Sequence, residues 1–348
     1  MGPTRGAHPA RVNTTAPSVG GETDLMRAVV QDAYGSTEVL RLAEIDRPEI
    51  GENEVLVEVA AAGMDRGTWH LMAGKPYLMR IIGFGFRRPK NRVPGLDVAG
   101  TVVAVGSEVT RFKPGDEVFG MSRGSFAGYA AAREDKLARK PGSLSFEQAA
   151  VVPISGGTAL QALRDSGRIE DGQSVLIIGA SGGVGTYATQ LAKTFGAEVT
   201  GVCSTSKVDL VRSIAADHVI DYTREDYLDG SRRYDLILDI GGNNGLSRLR
   251  SGLTPNGTLV IVGGEEGGNL TGGFGRQIRA LALSPFVGQR LVMLASKERH
   301  TDLEVLSPLL QSGQVVPVID RTYSLAEVSD AMRHLEAGEA RGKIAITV

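Results

Sequence analysis

The sequence has a single cysteine, Cys203, among its 348 residues. That excludes an intramolecular disulfide and any metal site built on a thiolate cluster. Aromatic residues are sparse, and no apolar stretch approaches the roughly 20 residues of a membrane-crossing helix. The longest apolar runs are interrupted by Gly, Arg or Pro, so no membrane span is expected. Neither sign of charge dominates: 38 Lys and Arg face 40 Asp and Glu. A net charge of −2 gives no bulk reason to expect nucleic acid or an anionic membrane as partner. Residues 1–24 lack periodicity and the apolar core of a signal peptide, so they read as a disordered tail. The expected location is cytoplasmic.

Glycine is what abounds. Its 46 residues sit at turns between apolar runs, which suits a fold rich in βα and hairpin turns. From Arg27 the pattern is short and β-like, with strict alternation in Glu54-Val55-Leu56-Val57-Glu58-Val59 and a turn at Lys113-Pro114-Gly115-Asp116. A short helix follows Asp65, and Asp97–Val105 and Glu117–Phe119 read as strands. Many short strands joined by Gly and Pro turns predict a partly open β-barrel over residues 27–130. After Pro141, strands at 174–178, 198–203, 218–221, 235–239 and 258–262 alternate with helical stretches, and Arg290–Leu294 reads as a further strand. That alternation predicts a doubly wound parallel sheet, making the chain α/β. The closing Lys343–Val348 reads as a lone strand that needs the N-terminal sheet as host. The domains expected are therefore 25–152 with 297–348, and 153–296.

Between strand 174–178 and helix 183–195 lies Gly179-Ala180-Ser181-Gly182-Gly183-Val184-Gly185. Glycines there let the chain turn sharply and a pyrophosphate approach its backbone, while the helix N-terminus supplies N–H groups and a positive dipole end. A plain tight βα turn is the bland alternative. At the end of the second strand an acid binds the ribose 2′-OH of NADH, whereas hydroxyls and cations accept the 2′-phosphate of NADPH. Here Cys203 runs into Ser204-Thr205-Ser206-Lys207, with no carboxylate before Asp209. NADPH is therefore expected over NADH, with Ser204 also open to a helix-capping role.

Several segments together resemble the medium-chain dehydrogenase/reductase superfamily, in its zinc-independent quinone oxidoreductase branch. They are Gly95-Leu96-Asp97-Val98-Ala99-Gly100, Phe112–Val118, Gly179–Gly185, Ala216–Tyr222 and Ala340-Arg341-Gly342-Lys343. The resemblance implies a GroES-like catalytic barrel, an inserted Rossmann domain and a nicotinamide in the cleft between them. It implies that the backbone of Ser181, Gly182, Gly183, Val184 and Gly185 holds the pyrophosphate. Ser204 and Lys207 would meet the 2′-phosphate, and Tyr222 would lie near the adenosine. Thr158, Gly263 and Gly264 would line the nicotinamide half. Lys343 falls where relatives place a cation near the pyrophosphate, although a solvated strand-end residue is an equal reading.

Zinc-dependent relatives carry a cysteine in the segment matching Gly63-Met64-Asp65, and His-Glu where this chain has Leu96-Asp97. No zinc is therefore expected. Without a Lewis acid, conjugate reduction of enones, enals or quinones is easier than turnover of an unactivated alcohol, because charge delocalises onto an oxygen that a few donors stabilise. Asp65 is the best-placed polar candidate for catalysis; its alternative is an N-cap. Trp69 and His70 are substrate-lining candidates, with core packing and a satisfied structural histidine as their alternatives. The remaining histidines (His8, His218, His300, His334) show no metal spacing. Residues 77–92 mix apolar side chains with Arg80, Arg87, Arg88, Lys90 and Arg92 and contain no acid, reading either as a lid or as a solvated loop. The competing functions are a zinc-free alcohol or ketone oxidoreductase and a nucleotide-binding scaffold. A homodimer through Arg290–Leu294 is expected.

Overall fold

The computed structural model describes residues 25–241, 244–263 and 274–348. The tail 1–24 and Gly264, both named above, lie outside these residues. Seven strands come first: β1 (Leu25–Val30), β2 (Arg41–Asp46), β3 (Glu54–Met64), β4 (Asp97–Val105), β5 (Glu117–Met121), β6 (Tyr129–Arg133) and β7 (Leu137–Arg139). The alternation of β3 buries Val55, Val57 and Val59 against Val98, Val102 and Val118. β3 is the hub of its sheet, pairing antiparallel with β4 and β6.

Six further strands are β8 (Ser174–Ile178), β9 (Glu198–Cys203), β10 (His218–Asp221), β11 (Tyr234–Asp239), β12 (Leu253–Ile261) and β13 (Arg290–Met293). They form one parallel sheet in the order β10-β9-β8-β11-β12-β13. The order reverses between β8 and β11, which opens a crevice at their C-terminal ends. The last strands, β14 (Ile319–Ser324) and β15 (Lys343–Thr347), join the N-terminal sheet, β15 pairing antiparallel with β3. The lone closing strand thus finds the host expected for it. β14 is absent from the sequence reading because it is an edge strand, mostly half-exposed, whose side chains show no apolar alternation.

The antiparallel registers carry a functional consequence. The end of β3 meets the beginnings of both its neighbours: Gly63 lies opposite Asp97 and Ala345, and Met64 opposite Ile344. Asp65, Asp97 and Lys343 are therefore brought together from positions far apart in sequence.

Candidate active site

β8 delivers the chain to Gly179, whose φ of +91° favours glycine. The N–H groups of Gly179 and Ala180 both donate to the Val202 carbonyl of the next strand, at 3.2 and 3.1 Å. Gly185 has no room for a side chain: a β-carbon there would sit 2.1 Å from the Gly179 carbonyl oxygen. Gly182 is different. A β-carbon on it would meet only that same oxygen, at 3.6 Å, so its outer side is open. Gly182 caps the helix Gly183–Thr194, whose first-turn N–H groups have no intrahelical acceptor. An open glycine, free N–H groups and a positive helix end form a cradle that fits a pyrophosphate. Ser181 is buried beneath it and accepts the Gly342 N–H at 2.9 Å, tying the turn to the start of β15.

At the end of β9 a cleft of about 530 Å³ is lined by Ser204, Ser206, Lys207, Asp320, His334 and Arg341. Asp320 and Glu339 also border it: His334 Nε2 lies 2.6 Å from Asp320 and Nδ1 3.5 Å from Glu339, whose side chain is exposed. Asp221, at the end of β10, accepts from the Thr205 and Thr223 hydroxyls and the Thr223 N–H. Lys207 donates to the carbonyls of Gly338 and Ala340, and burial holds its pKa below the usual range. These bonds hold its ammonium in the cleft wall, and Arg341 is a second cation at the same cleft. Tyr222 is exposed beside this end of the sheet, its N–H on the Cys203 carbonyl. A larger cavity of about 630 Å³, between Met26, Tyr129 and Val348, lies away from the glycine turn.

Lys343 is 1% exposed, which removes the solvated strand-end reading. Its Nζ lies 3.3 Å from Asp97 Oδ2 and 3.6 Å from Asp65 Oδ2. Asp97 is fully buried and accepts the Ile154 N–H at 2.9 Å through its other oxygen. Burial, opposed by Lys343, pushes the Asp97 carboxyl up to about 7. Because that value is raised over the 3.8 of a free aspartate, stability from this group is full below about 4 and is lost as pH rises towards 7. Asp97→Asn should flatten the slope in that window, which reaches at most about 1.4 kcal/mol per pH unit for one group; urea titrations across the range measure it. The acid that opens an otherwise apolar strand is the sequence signal for this site.

Asp65 caps the helix Arg66–Ala73, accepting the Thr68 N–H at 2.9 Å through Oδ1, while Oδ2 faces Lys343. Trp69 packs against the buried cluster containing Met332 and Ile344, and its Nε1–H donates to Glu336 at 2.6 Å. His70 Nδ1 lies 2.8 Å from the Lys75 carbonyl, just past the end of its helix. Thr158, on the helix Pro153–Gln161, lies 3.5 Å from the Ser296 hydroxyl beyond β13. Gly263, just after β12, accepts from Arg276, which also pairs with the fully buried Asp239 at the end of β11. This clamp on the C-terminal ends of two strands was not anticipated. In residues 77–92, Arg80 stacks on Tyr34 and donates to Gly74, whereas Arg87, Arg88 and Lys90 are exposed.

Family comparisons agree with this geometry. Residues 51–142 match the alcohol dehydrogenase GroES-like domain, and 214–346 the family described as zinc-binding dehydrogenase. The 2-methylene-furan-3-one reductase of Solanum lycopersicum is 35% identical over 97% of this chain and 85% of its own length. The chain belongs to the medium-chain dehydrogenase/reductase superfamily. As a member of that superfamily it is an oxidoreductase, of quinone-oxidoreductase-like type. The NADPH-dependent alkenal/one oxidoreductase of Arabidopsis thaliana, named as chloroplastic, is also 35% identical, covering 97% of this chain and 83% of that protein. Among solved structures, the quinone oxidoreductase from Coxiella burnetii superposes with a TM-score of 0.81 at 28% identity, over 93% of this chain and 99% of that one.

Proposed function

We propose that this oxidoreductase uses NADPH, without zinc, to reduce the activated C=C bond of an enone or enal, or a quinone. The observation that carries the reading is the open cradle at Gly182 beside a second-strand cleft lined by Ser204, Ser206 and Arg341. Bound there, NADPH supplies the hydride. The chain's share is to hold the pyrophosphate on the first turn of Gly183–Thr194 and the 2′-phosphate among Ser204, Ser206 and Arg341. The names of the furanone and alkenal relatives support the substrate class. Zinc independence is supported by the residues themselves. Leu96 has no donor atom, Asp97 is engaged by Ile154 and Lys343, and burial pushes the Cys203 thiol up to about 11.

The test is incubation of the protein and NADPH with enones, enals, quinones, aldehydes and simple ketones, and of the protein and NADP+ with secondary alcohols. Turnover confined to the first three is expected. Turnover of secondary alcohols or simple ketones would assign the alcohol-dehydrogenase reading, and tight binding with no turnover the scaffold reading. Ser204→Asp should reverse the cofactor preference, weakening NADPH at least about tenfold by placing a carboxylate against its 2′-phosphate. Titration with both cofactors reads this directly; NADH binding as tightly as NADPH to the unaltered protein would end the NADPH assignment.

The same reading includes a cytoplasmic homodimer. Its support is the outer strand β13, next to exposed Ile278, Leu281 and Phe286. Light scattering decides the dimer, and cell fractionation the location.

A further inference from the structure

Asp65, Asp97 and Lys343 place two carboxylates and one ammonium in a space almost closed to water. Asp65 Oδ2 is buried and has no hydrogen-bond donor, its nearest charge being the lysine. The cluster lies directly under the glycine turn. A β-carbon on Gly183 would sit 2.9 Å from Lys343 Cδ, so the lysine stem fills the space beneath the first helical turn. Gly182 and Gly342 are bridged, and the Gly342 N–H donates to Ser181.

We propose that Asp97, Lys343 and Asp65 form one positioning unit for the cofactor, and that the dinucleotide docks on Gly183 with uptake of a proton by this triad. The proposal rests on the glycine turn being the cofactor site. With both acids ionised the triad carries an unbalanced negative charge in a dry setting. An anionic pyrophosphate on the other side of Gly183 adds charge of the same sign, little screened by solvent. Protonating one carboxylate relieves both terms at once and leaves Lys343 with a single partner. Asp97 takes the proton, because it is the more deeply buried acid and burial outweighs the Lys343 and Ile154 N–H contacts that favour its charged form. The helix Gly183–Thr194 presents Tyr187, which stays protonated with its hydroxyl on the Val151 carbonyl. Helix Pro153–Gln161 offers only the Ile154 N–H, β15 offers Lys343, and the turn after β3 offers Asp65. Lys343 thereby keeps the turn in register with the barrel while the charge on its two partners adjusts to the cofactor.

The experiment is calorimetric titration of the full chain with NADPH in buffers of different ionisation enthalpy, slightly above neutral pH. The unaltered protein is expected to take up roughly half to one more proton per NADPH than Asp97→Asn or Asp65→Asn. Both variants leave the triad balanced, and Asn at 65 keeps the cap on Thr68. The 2′-phosphate contributes equally in all three proteins, so the difference isolates the triad. If Asp97→Asn does not fold, the Asp65→Asn comparison still decides. Proton uptake unchanged in every foldable variant overturns the coupling while leaving the cofactor site standing. No NADPH binding by the unaltered protein overturns the cofactor reading and the coupling with it.

Discussion

Gly182→Val should fold as the unaltered protein does and bind NADPH at least about 100-fold more weakly, the loss of one or two charge-assisted hydrogen bonds. The two halves of that expectation come from different observations. Gly182 has φ −86° and ψ 177°, extended backbone that any residue adopts, and its β-carbon position meets only the Gly179 carbonyl at 3.6 Å. Nothing in the protein needs glycine there. A pyrophosphate bound there would, because a side chain would occupy the space through which phosphate oxygens reach the N–H groups of the helix. Gly185→Val is the control with the opposite signature: its β-carbon would sit 2.1 Å from backbone, so the turn itself must break. Thermal unfolding without cofactor, paired with fluorescence titration by NADPH, separates the two. A Gly182→Val protein that binds NADPH normally would show that the turn is only a turn.

Lys343→Met should destabilise the fold by about 3–5 kcal/mol, the range for removing one partner of a buried ion pair. The substitution removes the one ammonium and leaves Asp65 and Asp97 facing each other across a dry gap. Measured by urea unfolding above neutral pH, the loss should be partly recovered in Lys343→Met/Asp97→Asn, where one of the stranded charges is gone. A fully stable Lys343→Met protein would mean that the ammonium does not neutralise these acids.

The sequence was most readable where local chemistry and fold agree. The run Ser174–Ile178, the glycine turn and the helix after it combine a buried strand, a positive φ at Gly179 and an amphipathic helix, each encoded within a few residues. Asp65 was legible as an N-cap for the same reason, since capping needs only Thr68, three residues on. What escaped was built by long-range pairing. Asp97 and Lys343 meet because β4 and β15 both pair antiparallel with β3, across 246 positions of sequence. Arg341 enters the second-strand cleft through that same return of the C-terminal segment, and Arg276 reaches Asp239 from the amphipathic helix Phe274–Leu283, a contact across 37 positions that no local pattern encodes. Trp69 and His70 follow Asp65 closely in sequence, but their contacts are long-range or local in ways spacing does not show: Trp69 Nε1–H donates to Glu336 and His70 Nδ1 lies beside the Lys75 carbonyl.

Deuteride transfer tests the central claim most directly: NADPH labelled with deuterium on the nicotinamide carbon that carries the hydride, incubated with the protein and a simple enone. The account predicts a saturated ketone carrying one deuterium on its β-carbon, formed without added metal and undiminished by chelators. Deuterium on the carbonyl carbon instead, or activity abolished by a chelator and restored by zinc, would contradict it.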